Sequence, residues 1–91
     1  MYFTYVLKSL STGRLYTGST NNLLRRFKEH SKGKTASLRH KGPYVVIWIE
    51  YFSTRKEAVV RERELKTGRG RKQLRMLINN FYKDIKLMPI G

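Results

Sequence analysis

The chain has 91 residues, with 20 Lys and Arg against 6 Asp and Glu, so its formal net charge is +14. This length suits one small domain over residues 1–91, and 40% hydrophobic residues are too many for a disordered basic tail. The longest apolar run, 44–49, is far shorter than the about 20 residues of a membrane span. The absence of cysteine excludes disulfides and thiolate chemistry, and no secretory leader is recognisable, so we expect a cytoplasmic protein. A folded domain with this charge attracts polyanions, which indicates a nucleic-acid partner.

The first third of the chain predicts a β-hairpin followed by a helix. Residues 2–7 and 14–17 are rich in aromatic and β-branched side chains, and turn-forming residues occupy 9–13 between them. Polar side chains at 19–21 can cap a helix over 22–30. One stripe of that helix is expected to face the body of the protein, and it consists of Leu23, Arg26, Phe27 and His30.

The rest of the chain predicts a basic loop over 31–43, a strand and two helices. Residues 44–52 are apolar on both faces and predict the covered central strand. Thr54 and Glu57 form a capping box that opens a helix to about residue 66. Gly68 and Gly70 are predicted to end this helix before a last helix over 71–81. The folded core is then expected over about 2–81, with 82–91 as an irregular tail. The order β-β-α-β-α-α predicts an α+β fold, with a small, mainly antiparallel three-stranded sheet flanked by helices.

Sixteen of the 20 basic residues fall in two blocks, 25–41 and 55–75, each made of a helix and its adjoining loop. Such blocks predict phosphate contacts whose affinity falls steeply with salt, although a merely solvated surface is the alternative. The predicted nucleic-acid-binding residues are Arg25, Lys28, Lys32, Lys34, Arg39, Lys41, Lys66, Arg69, Arg71 and Lys72.

One carboxylate, Glu62, lies on an apolar helix stripe, where it is costly unless it is paired or bound to a metal. The structural alternative is a salt bridge to Lys66 at i+4, with Glu57 and Arg61 as a parallel pair. In the same way, the Arg and His of the first helical stripe could snorkel around the edge of the core. The pattern alone leaves both interpretations open.

Four short motifs in order resemble the signature of the GIY-YIG nucleases. Phe-Thr-Tyr at 3–5, then ten residues, then Tyr-Thr-Gly at 16–18 are similar to the two tripeptides that name the family. Residues 18–30 are similar to its G-x(7)-R-x(3)-H/Y helix, and 57–62 to its metal-binding helix. The resemblance covers about 2–77 and implies metal-dependent hydrolysis of DNA phosphodiester bonds by a small stand-alone member.

The resemblance implies roles for the matching residues, with one Mg²⁺ or Mn²⁺ held by a glutamate. The implied catalytic residues are Tyr5, Tyr16, the phosphate clamp Arg26, His30 and the metal ligand Glu62. Ser19 stands where repair nucleases often have Lys, which removes one candidate proton shuttle. Near a metal and an arginine, the pKa of a tyrosine is expected to fall. We therefore expect Tyr5 or Tyr16 to take the proton of the attacking water, with His30 as relay.

The sequence thus predicts a metal-dependent DNA endonuclease. One alternative is a catalytically weak or inactive nucleic-acid-binding module on the same fold, and another is a ribosome-associated basic protein. The pattern assigns no preference among duplex, branched and damaged DNA, and it names no protein partner and no oligomeric state.

Overall fold

A computed structural model describes residues 1–31 and 43–87, with side chains described at 1–30 and 43–81. The elements in chain order are β1 (Tyr2–Ser9), β2 (Leu15–Thr20), α1 (Leu23–Ser31), β3 (Tyr44–Phe52), α2 (Arg55–Lys66) and α3 (Gly68–Leu87). The predicted α+β fold, with a three-stranded antiparallel sheet flanked by helices, is confirmed. Within the described ranges no helix is long and apolar enough to cross a membrane.

The central strand is β1, because the strand order is β2-β1-β3 and β1 pairs antiparallel with both neighbours. Its residues 4–7 are at most 3% exposed, so both of its faces are covered. The prediction that the third strand lies at the centre is wrong. β3 is an edge strand, and its Ile49 and Tyr51 are 45% and 71% exposed. An apolar run predicts a strand but not its neighbours, because pairing order depends on segments far apart in the sequence.

Helices cover the two faces of β1. Tyr5 and Leu7 lie on the face that packs against α1, whereas Val6 lies on the opposite face and packs with Leu65 of α2 and Leu74 of α3. The α1 stripe therefore faces the body of the protein, as its spacing predicts.

Helix α2 begins where the capping box predicts. The Oγ1 of Thr54 accepts a hydrogen bond from the Glu57 amide at 3.3 Å and donates one to Glu57 Oε1 at 2.8 Å. The Glu57–Arg61 pair, which the sequence offered as part of the structural alternative, does not form. Arg61 instead makes a two-pronged ion pair with Glu50 of β3, with its shorter contact at 2.6 Å. A third contact of Arg61, from Nη1 at 3.2 Å, goes to Glu64. The Arg61–Glu50 pair joins α2 to the edge strand with the planar geometry that arginine and carboxylate share.

The break between α2 and α3 falls at Thr67, and not at Gly68 and Gly70 as predicted. The Thr67 hydroxyl donates to the Glu64 carbonyl at 2.7 Å and accepts from the Gly70 amide at 3.0 Å, so one side chain ends α2 and caps α3. A Cβ at Gly70 would run into the Glu64 carbonyl. The glycine therefore permits a tight corner inside the first turn of α3.

Helix α3 continues to Leu87, so the predicted irregular tail over 82–91 is wrong as far as residue 87. Residues 82–87 contain neither Gly nor Pro, and nothing in them ends a helix. Residues 88–91 lie outside the described part of the chain.

Candidate active site

The candidate site forms around residues 18 and 19 of the edge strand β2. This strand reaches Thr20, three residues beyond its predicted end, so Gly18 and Ser19 face opposite sides of the sheet. Gly18 lies opposite Tyr5 on β1, on the α1 side, and Ser19 bonds to α2 on the other side. Both helices therefore reach the same edge of the sheet.

On the α1 side, Tyr5 forms hydrogen bonds with two residues of the α1 stripe. Its hydroxyl lies 2.8 Å from Nε2 of His30 and accepts a hydrogen bond from Nε of Arg26 at 3.3 Å. Arg26 and His30 are four residues apart, so they lie one above the other on the helix. Tyr5 and His30 are buried, at 2% and 6% exposed. The Phe27 ring packs edge-on against Tyr5, with 5.4 Å between centroids, and holds the phenol in place.

Burial and charge keep both Tyr5 and His30 neutral near pH 7. Burial raises the pKa of Tyr5 above its ordinary 10.0, and the negative charges of Glu62 and Glu29 raise it further. The hydrogen bond and the charge of Arg26 lower the same pKa, but they do not outweigh burial. The fall of a tyrosine pKa beside a bound metal ion stays a prediction, because Arg26 by itself does not outweigh the effect of burial. Burial also lowers the pKa of His30 below 6.5, and the Arg26 charge lowers it further, against the effect of Glu29.

Gly18 leaves the space that the Tyr5 phenol needs. A Cβ at this position would lie 2.5 Å from the Tyr5 hydroxyl oxygen and 2.7 Å from its Cζ, so the ring would have to move. The last residue of the Tyr-Thr-Gly motif is thus a steric requirement of the Tyr5–His30 hydrogen bond.

On the α2 side, both carboxylate oxygens of Glu62 accept hydrogen bonds. Ser19 donates to Oε1 at 2.6 Å, and Lys66 donates to Oε2 at 2.7 Å. Burial alone would raise the pKa of Glu62, but the hydrogen bonds from Lys66 and Ser19 and the charges of Lys66 and Arg63 lower it below 4.5. The salt bridge to Lys66, which the sequence offered as the alternative for Glu62, is therefore present.

Sequence reasoning missed the role of Ser19, which it treated only as a missing lysine. The alternating directions of side chains along β2 could have indicated this role. If the strand continues through residue 19, the Ser19 hydroxyl points towards α2 while Gly18 faces Tyr5.

A cleft of about 460 Å³ joins the two sides around the edge of β2. All five residues that the resemblance implied as catalytic line it: Tyr5, Tyr16, Arg26, His30 and Glu62. The Tyr16 ring packs edge-on against Tyr44, with 5.8 Å between centroids. Ser19, Lys66 and Arg71 also line the cleft, so its polar groups outnumber its apolar ones.

The residues predicted to bind nucleic acid separate into several locations. Lys66 and Arg71 line the cleft, Arg25 lines an adjoining pocket, and Lys28 is exposed on α1. Arg69 and Lys72 lie at a separate depression beside α2 and α3. The remaining four, Lys32, Lys34, Arg39 and Lys41, lie outside the described residues.

Residues 1–76 match the family model of the GIY-YIG catalytic domain. The chain belongs to the GIY-YIG family. Its GIY-YIG relatives include a UPF0213 protein of Clostridium perfringens, 34% identical over 94 aligned residues that cover 96% of this chain and all of that protein. A UPF0213 protein of Photorhabdus laumondii is 41% identical over 75 aligned residues, covering 81% of this chain and 71% of that protein.

The fold has a counterpart among solved structures. The solution NMR structure of the UPF0213 protein from Bacillus halodurans superposes with a TM-score of 0.54 at 34% identity, covering 85% of each chain. The resemblance drawn from the four motifs is thereby confirmed. Membership of the GIY-YIG family places the chain among nuclease domains, which act on nucleic acids and generally use a divalent metal ion.

Glu62 is the carboxylate of the cleft that could hold a metal ion. It is the sole carboxylate among the described residues that line the cleft, and the described side chains form no group of three or more His, Cys, Asp and Glu that could hold an ion. A zinc cage is not present in that part of the chain, since it needs three or four such ligands. One carboxylate beside the Ser19 hydroxyl fits Mg²⁺, which keeps several waters and accepts phosphate oxygens from the substrate.

Proposed function

We propose that the chain is a metal-dependent endonuclease that hydrolyses DNA phosphodiester bonds in the cleft beside β2. The observation that carries this proposal is the convergence of two groups of side chains on one cleft. Tyr5, hydrogen-bonded to His30 and Arg26, approaches from the α1 side, and Glu62 approaches from the α2 side. A cytoplasmic location stays a prediction from the sequence.

Arg26 is the phosphate clamp in this proposal. Its Nε donates to Tyr5 and its Nη1 donates to Glu29 at 3.1 Å, while no described residue accepts from its Nη2. A guanidinium stays charged at every physiological pH and matches two phosphate oxygens with its planar donors. A bound phosphate would therefore replace Glu29 as the partner of Arg26.

Tyr5 and His30 accept the proton of the attacking water. As the water oxygen forms its bond to phosphorus, the P–O bond to the leaving oxygen breaks, and that oxygen takes a proton from solvent water. One O–H bond of the attacking water breaks as well, and its proton passes to the Tyr5 oxygen while the Tyr5 hydroxyl proton passes to Nε2 of His30. Because burial raises the pKa of Tyr5, this coupled transfer is favoured over a free phenolate. A neutral His30, protonated on Nδ1, presents Nε2 as the acceptor at 2.8 Å.

Glu62 would hold the divalent ion, Mg²⁺ or Mn²⁺. When bound, such an ion neutralises charge that develops on the phosphoryl and leaving oxygens. Lys66 and Arg71 add positive charge to the same cleft and would contact the phosphates of the substrate strand.

The direct test is nicking of supercoiled plasmid with Mg²⁺ or Mn²⁺ at low salt by the wild type and by Glu62→Gln. We expect the variant to lose at least about 100-fold in rate while DNA binding in EDTA, measured by fluorescence anisotropy, is retained. Glu57→Gln is the matched control, because it makes the same change at an exposed position of the same helix and should nick like the wild type. Equal nicking by wild type and Glu62→Gln would contradict the metal role of Glu62 and indicate a contaminating nuclease.

One observation favours a second candidate function, a nucleic-acid-binding module without cleavage. Ser19 and Lys66 satisfy both oxygens of Glu62, as in a purely structural salt bridge. In that case wild type and Glu62→Gln would both bind DNA with steep salt dependence, and neither would nick it.

A further inference from the structure

A second polar pocket adjoins the catalytic cleft on the side of the N-termini of α1 and α2. It encloses about 350 Å³ and is lined by Asn21, Arg25 and Arg55, among others. Ser19 and Arg26 line both this pocket and the cleft. The two cavities therefore meet at these two side chains.

The arginines that line this pocket carry more positive charge than the neighbouring described carboxylates neutralise. Three guanidinium groups line the pocket. Among the described residues, one carboxylate pairs with them: Glu29, at 3.7 Å from Arg25 and 3.1 Å from Arg26. Arg55 makes no hydrogen bond or ion pair with any residue whose side chain the structure describes. The pocket thus offers charge and planar donors to an anion.

The position of Arg55 has no explanation in the stability of the fold. It is the first residue of α2, where the helix dipole disfavours a positive charge. Its side chain is exposed and contributes nothing to the core. A ligand with negative charge would account for an arginine at this place.

We propose that this pocket binds the phosphate next to the scissile phosphate on the same DNA strand. The inference rests on the proposed function, because it takes the cleft as the place of the scissile phosphate. Arg26 bridges the two phosphates, Arg25 and Arg55 hold the flanking one, and the path of the strand across the edge of β2 follows from this arrangement. A substrate with two consecutive phosphates therefore binds better than one with a single phosphate.

The test uses thymidine 3′,5′-bisphosphate, with thymidine 3′-monophosphate and 5′-monophosphate as single-phosphate probes. Each is titrated into the full chain without metal, and affinity is followed by NMR chemical shifts of the backbone amides. We expect the bisphosphate to bind the wild type at least about tenfold more tightly than either monophosphate, as one charge-assisted arginine contact allows. In Arg55→Gln this advantage should fall to less than about threefold.

Lys56→Gln is the matched control. It removes the same charge from the same turn of α2, but Lys56 does not line the pocket, so the advantage of the bisphosphate should persist. An equal loss in both variants would overturn the proposal in favour of general electrostatic attraction. A wild type that binds bisphosphate and monophosphates equally would also overturn it.

Plasmid nicking by the same preparations separates this inference from the proposed function. If the wild type nicks plasmid but gains nothing from the second phosphate, the pocket is wrongly assigned and the nuclease stands. If it does not nick, and the bisphosphate advantage is lost in Arg55→Gln but kept in Lys56→Gln, binding of two consecutive phosphates stands and cleavage does not.

Discussion

The hydroxyl of Tyr5 lies 2.8 Å from Nε2 of His30, although 25 positions separate the two residues in the chain. The packing of α1 on β1 creates this hydrogen bond, and Arg26 donates to the same phenol oxygen at 3.3 Å. Three polar groups from two elements, β1 and α1, thus form one continuous hydrogen-bonded unit. In the proposed proton transfer this unit acts as a whole.

Tyr5→Phe should lower the rate of plasmid nicking by about 100- to 10,000-fold, because it removes the oxygen that receives the water proton. DNA binding without metal should stay close to that of the wild type, since the ring and its packing are retained. Tyr51→Phe makes the same change at a side chain that is 71% exposed and should nick normally. A Tyr5→Phe protein that nicks at the wild-type rate would remove Tyr5 from the mechanism.

The nicking rate should fall as pH decreases through the lowered pKa of His30, because a protonated His30 cannot accept the Tyr5 proton. The acid limb of the pH–rate profile is therefore expected below pH 6.5. NMR titration of the His30 ring gives its pKa directly, and His40→Asn assigns the signals of the two histidines. A limb that follows a group titrating above pH 7 would contradict this assignment.

The same pKa shift makes a prediction for folding stability. The unfolded chain takes up the His30 proton near pH 6.5, whereas the folded chain resists it until a lower pH, so the unfolded state binds more protons between the two values. The free energy of unfolding should therefore fall as pH drops from about 6.5 through the folded pKa. Urea unfolding across this range should show a weaker dependence on pH in His30→Gln than in the wild type.

Lys66→Met should strengthen Mn²⁺ binding by about two- to fivefold, because the lysine competes with the ion for Oε2 of Glu62. Isothermal titration with Mn²⁺ measures this directly and does not depend on catalysis. Lys56→Met removes a positive charge from the same helix away from the cleft and should leave the affinity close to that of the wild type. Unchanged or weaker binding in Lys66→Met would show that Glu62 does not hold the ion through this oxygen.

Gly18→Ala should reduce nicking by at least about 100-fold, because its Cβ would displace the Tyr5 phenol from His30. We expect the free energy of unfolding to fall by about 1–3 kcal/mol through the same steric conflict. A Cβ at Gly68 meets no heavy atom within 4 Å, so Gly68→Ala should keep full activity and equal or higher stability. Full activity in Gly18→Ala would show that the position of the phenol is not critical.

Much of the local structure could be read from short stretches of the chain. Thr54 and Glu57 predicted the start of α2, and the stripe of α1 predicted its buried face. The position of Glu62 on an apolar stripe predicted a paired or metal-bound carboxylate. Each of these signals acts within one or two helical turns, where residues near in sequence are also near in space. The motifs that carry the family resemblance are equally local, since each spans a few residues at fixed spacing.

Other features depended on residues distant in the sequence. The sheet order placed β1 at the centre, although β3 has the more apolar sequence, and only the pairing of both neighbours with β1 decides this. The hydrogen bond from Ser19 to Glu62 joins residues 43 positions apart and required β2 to continue past its predicted end.

The amino-acid sequence by itself determined the elements and their order and the strong positive charge, and its family motifs pointed to five of the residues that line the cleft. The tertiary structure decided which strand is central and that burial raises the pKa of Tyr5. It also decided that Lys66 and Ser19 donate hydrogen bonds to the Glu62 carboxylate. The physical reason is that helix and strand propensity arise from neighbouring residues, whereas desolvation and charge pairing arise from whatever the fold packs against a group.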